Sequence, residues 1–190
     1  MQEKLEGRSA LNKSTILIVF GIFLGLGIMG YFLFKASATP EMGESFQIQG
    51  RQHIKLGEQH PPYNSTPPTS GWHYTEPAPW GISDAEIPNE TQIHNLEHGG
   101  VMVQYQPNID AQTPDQLKNL MSNYKAKVIL APYQASPSKI VLTAWGRMLK
   151  LDGFQEQKIK DFISAYKDKG PEHVPDETNI QAPSKEEHKD

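Results

Sequence analysis

The chain has no cysteine. That excludes disulfides, thiolate metal sites and cysteine nucleophiles, and any domain outside the cytoplasm must hold together on its apolar core alone. It also lacks a basic stripe: the net charge is −4 and the Lys and Arg are scattered. No element can track a phosphate backbone, so nucleic acid is not an expected partner. Internal repeats are absent too. At 190 residues the chain has room for one domain and its extensions.

One long apolar run is present. Residues 15 to 34, "TILIVFGIFLGLGIMGYFLF", carry no charge, and fifteen of the twenty are apolar. A helix of that length spans ~30 Å, the thickness of a hydrocarbon core. Lys4, Arg8 and Lys13 precede it, and after Lys35 nothing basic comes before Arg51. This bias predicts a cytoplasmic N-terminus (1–14), a transmembrane helix (15–34), a linker (35–45) and an exported globular domain (46–170). The alternative is a signal peptide cut after Ala38, in "ASA", but the run exceeds the ~7–15 residues of a signal h-region. The expected setting is therefore the cell membrane, single-pass, with the bilayer and a membrane protein as partners. Gly21 and Gly25 form a Gly-x-x-x-Gly pair that would let two such helices approach closely.

Proline is concentrated. Seven of the fifteen lie between Pro61 and Pro88. So few amide donors predict a long ordered loop there, from about Gly57 to Pro88, rather than sheet or helix. Phe46, Ile48 and Ile54 read as a short strand broken at Gly50. Beyond the loop, "GVMVQYQ" (100–106) alternates Val101, Val103 and Tyr105 as a strand. A helix follows, with Thr113 as its cap, Pro114 in first position, Gln116 completing a capping box, and Leu117, Leu120, Met121 and Tyr124 on one face. "KVILAPY" (127–133) and "KIVLTAW" (139–145) read as strands, with "QASPS" as a hairpin between them. A last helix starts near Asp152, buries Ile159, Phe162, Ile163 and Tyr166, and stops at Gly170. The order predicts an α+β fold: a small, mostly antiparallel sheet with two helices on one face and a long Pro/His-rich loop. Residues 171 to 190, proline-rich and charged, read as a disordered tail.

Five of the seven histidines fall within 46 residues: His53, His60, His73, His94 and His98. Imidazole without thiolate suits Zn, Cu, Fe or Ni. A loop stiffened by proline delivers side chains to a fixed place at low entropic cost. These five are the candidate ligands of a copper or zinc ion. Met42, Met102 and Met148 hint at copper through their thioethers, although Met102 lies on a strand face suited to a core.

"HNLEHGG" (94–100) contains His-x-x-Glu-His, the order of one class of zinc peptidases. Gly99 and Gly100 end any helix at once, leaving one or two turns, which disfavours a peptidase and favours a helical turn presenting two imidazoles at the head of a strand. Glu97 is then a ligand, a partner orienting a histidine, or a surface charge. The leading reading is a membrane-anchored, extracytoplasmic metal-binding domain. The alternatives are a metal-dependent hydrolase or oxidoreductase, with Glu97 catalytic beside a pocket of Tyr63, Trp72 and Trp80, and a metal-free scaffold using the proline-rich loop. Histidine rings more than ~8 Å apart would favour the scaffold, because metal–nitrogen bonds are only ~2 Å.

The stretches "HIKLGEQHPPYNSTPPTSGWHY", "IHNLEHGGVMVQY", "LAPY" and "IVLTAWGR" resemble the prokaryotic family catalogued as domain of unknown function 3105, over about residues 46 to 170. Trp72 stands where the family's motif usually has proline. The resemblance implies a membrane-anchored, exported domain with these limits, and no particular chemistry.

Overall fold

The computed structural model describes residues 12–36 and 41–175. The chain forms two units, Met1–Pro40 and Glu41–Asp190. In the first, α1 (Lys13–Ala36) is 24 residues long, and its stretch Lys13–Tyr31 is long and apolar enough to cross a membrane. Ile16 to Tyr31 leave their large apolar side chains exposed, which suits lipid rather than a packed core.

The second unit is α+β. Its mixed, mostly antiparallel sheet holds six strands: β1 (Glu44–Ser45), β4 (Gly81–Ile82), β5 (Val101–Tyr105), β6 (Val128–Pro132), β7 (Ile140–Ala144) and β8 (Arg147–Leu151), in the order β1-β8-β7-β5-β6-β4. Between β1 and β4 in the chain, β2 (His53–Ile54) and β3 (His73–Tyr74) make a separate parallel pair. β5 lies between β6, to which it is parallel, and β7, to which it is antiparallel.

The central strands β5 and β7 are buried along their whole length because both faces are covered. Val101, Val103 and Tyr105 face Leu117 and Leu120 of α3 (Gln112–Met121) and Ile159, Phe162 and Ile163 of α4 (Glu156–Tyr166). This is the expected pair of helices on one face. Met102, on the opposite face, packs with Ile129, Ala131 and Leu96 of α2 (Asn89–Glu97). The second face is thus closed by a third helix and by Ala78, Ile87 and Trp80 of the proline-rich region.

Several local expectations differ from the structure. "QASPS" is not a hairpin, since β6 and β7 flank β5 instead of pairing. The hairpin is one strand later, where β7 and β8 pair across Trp145 and Gly146. Thr113 lies inside α3, and the side chain that bonds its first turn is Asp110, ahead of the helix: its carboxylate accepts the Thr113 N–H at 3.0 Å and the Thr113 hydroxyl at 2.8 Å. α4 begins at Glu156 and ends at Tyr166, and the chain reverses at Asp168 (φ 64°) rather than at Gly170. Two dipeptide strands, His73–Tyr74 and Gly81–Ile82, form inside the proline-rich region where no proline intervenes. Phe46 and Ile48 lie outside any strand, while Glu44–Ser45 pairs with β8 and Arg147 holds Glu41 through two bonds of 2.8 and 3.1 Å. The compact unit therefore begins at Glu41. At the other end residues 171–175 are described and bonded to it. The expected tail from 176 on and the N-terminal 1–11 lie outside the described residues, as does Ala38.

Candidate metal centre

The proline-rich region is pinned by its own polar residues. Gln49 accepts the Asn64 N–H at 2.8 Å and donates to the Pro62 carbonyl at 3.0 Å. Asn64 donates to the Gln47 carbonyl, Ser70 accepts the Gln49 N–H, and the Tyr63 hydroxyl donates to the Trp72 carbonyl at 2.7 Å. The side chains of Gln49, Asn64 and Tyr63 here replace the donors that proline removes. The result holds residues 70–74 rigidly beside β2.

Two elements then deliver the site. The register of β2 and β3 sets His53 directly opposite His73. α2 presents His94 and Glu97, three residues apart and so on one face. Each of His53, His73, His94 and Glu97 offers one ligand atom, and these atoms all lie within 4.8 Å of one another. Ring centroids are 4.8 Å apart for His53 and His73, 5.1 Å for His53 and His94, and 5.2 Å for His73 and His94. His73, His94 and Glu97 are buried, and His53 is the exposed member.

Hydrogen bonding orients the rings. His73 Nδ1 lies 2.8 Å from the Gly71 carbonyl and His94 Nδ1 lies 2.7 Å from the Tyr74 carbonyl. A carbonyl only accepts, so both Nδ1 atoms carry protons and both Nε2 atoms face inward. His73 Nε2 is 2.9 Å from Glu97 Oε2, and His53 Nε2 is 3.6 Å from the same oxygen. Arg51 Nε stands 3.8 Å from Glu97 Oε1. Burial lowers the His94 pKa below its ordinary value, against the opposing pull of the Tyr74 carbonyl, and the neighbouring imidazoles His98, His73 and His53 lower it further. A neutral imidazole is the form that binds metal.

The sequence-predicted ligands do not all converge. His98, the residue after α2, has its Nε2 3.0 Å from His94 Nε2 and 3.6 Å from Glu172 Oε2, so it borders the group. Burial also lowers its pKa, partly offset by Glu172 and Glu97. His60 does not join the group. Its Nδ1 donates to the Pro61 carbonyl at 2.8 Å, its Nε2 lies 3.1 Å from Glu90 in the first turn of α2, and its ring packs on Tyr63. Trp80 packs in the apolar cluster and Tyr63 on His60, so neither forms the pocket expected beside Glu97. Met102 and Met148 are core residues, and Met42 packs against the core. The donor set is therefore three imidazoles and a carboxylate, without thioether.

Residues that composition did not single out complete the site. Arg51, Glu172 and the carbonyls of Gly71 and Tyr74 surround it. Asn95 locks α2 to the loop by bonding both the N–H and the carbonyl of Ala78, at 2.9 and 2.8 Å. The Pro-x-Pro context of Ala78 is the only sequence signal for that contact.

The chain belongs to the family described as Protein of unknown function (DUF3105), which matches residues 54–179. That span holds β3, the loop, α2, the sheet core and α4, together with His73, His94 and Glu97; His53 is one residue before it. No curated protein matches the chain, and no solved structure does.

Proposed function

We propose that this domain is a membrane-anchored, extracytoplasmic metal-binding module. It binds one copper or zinc ion through the Nε2 atoms of His73 and His94, the imidazole of His53 and the carboxylate of Glu97. The observation that carries this reading is the pair of carbonyl-locked rings. Fixing Nδ1–H of a histidine on a backbone carbonyl is how metal ligands are oriented, and it raises the basicity of the other nitrogen. A tetrahedral site with ~2.0–2.1 Å bonds spaces its donors by ~3.4 Å. The four donors are already within about 1.5 Å of that spacing, so binding needs only a small contraction. Three nitrogens and an oxygen suit Zn(II) and Cu(II), and the absence of sulfur gives no advantage to Cu(I). Glu97 serves as a ligand in this reading, which leaves no free acid/base group at the motif and speaks against a peptidase. The rings of His53, His73 and His94 lie well inside the ~8 Å separation that would have favoured a metal-free scaffold.

The apolar helix and the Lys/Arg bias support an anchor with the N-terminus in the cytoplasm and the site on the other side. Metal analysis of the full chain, purified in detergent without an affinity His tag, tests the function. One equivalent of zinc or copper is expected, with a rise in melting temperature when the ion is added at pH 7.5. No retained ion and no thermal shift with either would return the histidines to a structural role. A reporter fused at the C-terminus that works only in the cytoplasm would overturn the topology.

A further inference from the structure

A cavity of about 580 Å³ opens beside the metal centre. It shares two residues with the site. His53 is a ligand and lines it. Tyr74 lines it and orients His94 through its carbonyl. Thr91 lines it one helical turn before His94 on α2. The volume falls in the range of small-molecule sites, ~300–1,000 Å³. Its apolar walls are Ile54, Leu56 and the Tyr74 ring. Of these walls Ile54 is 3% and Leu56 88% exposed, so the cavity is open on the Leu56 side.

Of the four ligands only His53 is exposed. Solvent and solutes therefore reach the centre along His53, the ligand that lines the cavity. The charges around it are Lys55, Glu58 and Glu76, two carboxylates against one ammonium. Glu58 is turned back on the chain, accepting the Lys55 N–H at 3.0 Å. This balance does not select an anion. We infer that the cavity is the small-molecule subsite of the metal centre, taking a neutral aromatic heterocycle whose single nitrogen adds to the ion as a fifth donor beside His53 while its ring lies against Ile54, Leu56 and Tyr74. The inference rests on the metal reading above and adds the class of molecule the centre meets.

The test uses the full chain in detergent, loaded with Co(II) as a spectroscopic stand-in, and titrated with imidazole and with 4-phenylimidazole. Both coordinate through one nitrogen; only the second carries a ring for the cavity. Burying that ring should tighten binding about ten- to hundredfold over imidazole. Leu56→Asp and Thr91→Trp, the one removing apolar wall and the other filling space, should cut that advantage to about threefold or less, with Co(II) content and imidazole affinity unchanged. Retained Co(II) with no spectral response to imidazole, no gain from the phenyl ring, or a gain undiminished in both variants would overturn this inference and leave the metal reading intact. Failure to retain any metal would overturn both.

Discussion

His73 Nε2 and Glu97 Oε2 face each other at 2.9 Å, while the other nitrogen of His73 already donates to the Gly71 carbonyl. A lone pair and a carboxylate cannot sit that close unaided. Either a shared proton or a cation must lie between them. The same geometry thus serves a hydrogen bond or a metal, and uptake of metal should release that proton.

Glu97→Gln separates the two uses. The amide keeps the shape and can still bond His73, so the fold should survive, with a stability loss within about 1–3 kcal/mol. Metal affinity should fall by more than the ~10–100-fold typical of losing an outer-shell partner. His60→Ala should do the reverse, lowering stability through its lost Glu90 and Tyr63 contacts while leaving affinity unchanged. Competition titrations with a chelator of known affinity, beside thermal melts, check both.

The imidazoles also set a pH dependence. Burial lowers the pKa values of His94 and His98 in the folded state. As pH falls past the ordinary histidine value of ~6.5, the unfolded chain takes up protons that the folded chain refuses. Stability is therefore full above ~6.5 and declines as pH falls from there toward the lowered folded values. Melts of the metal-free protein from pH 7.5 to pH 5 should show the decline, and it should be steeper with metal present, since protons also displace the ion. A flat profile would mean that these rings are more solvated than their burial implies.

The Gly71 carbonyl locks His73 only because Gly71 is a glycine. Its φ is +128°, and a Cβ there would lie 2.8 Å from the Tyr63 ring. Gly71→Ala should cost about 1–3 kcal/mol through backbone strain and crowding. It should also turn the carbonyl away and weaken metal binding, which a core defect elsewhere would not do. Histidine NMR shifts that stay unchanged for His73 would contradict this coupling.

The sequence made some of this plain and hid the rest for physical reasons. The strand at Val101 and the helices carrying Leu117, Leu120, Ile159 and Phe162 were legible because their apolar spacing reflects burial on one face. The partner of each strand was not, because β5 and β6 pair in parallel across α3 while the true hairpin turns on Trp145 and Gly146. His94 and Glu97 could be set on one helical face from spacing alone. That His73 joins them and His60 does not depends on the path of the loop. Side-chain bonds of Gln49 and Asn64 to residues 47 to 64 fix that path, and no periodicity reports them.

The C-terminal segment gives the last prediction. Gly170 passes so close to the Glu97 carbonyl and the Gly99 N–H that a Cβ would collide with both. Beside it the Asp168 N–H donates to the Gly99 carbonyl at 2.8 Å, and the Glu172 N–H to the Glu97 carbonyl at 3.1 Å. Lys127, buried, donates to both Asp168 and the Val174 carbonyl at 2.6 Å. Residues 168–175 therefore satisfy the last carbonyl of α2, that of the ligand Glu97 itself, and the Gly99 carbonyl just beyond it, while His98, Gly99 and Gly100 take the carbonyls of His94, Leu96 and Asn95. Removing residues 171–190 should cost about 1–3 kcal/mol, since it strips the hydrogen bonds from Glu172 to the Glu97 carbonyl and from Lys127 to the Val174 carbonyl, and should lower metal affinity by loosening Glu97. Removing only 176–190 should change stability by no more than about 0.5 kcal/mol. Gly170→Ala should resemble the longer deletion. Urea melts and metal titrations of the three variants decide it: equal behaviour of the two deletions would mean that the segment after α4 merely rests on the site without holding it.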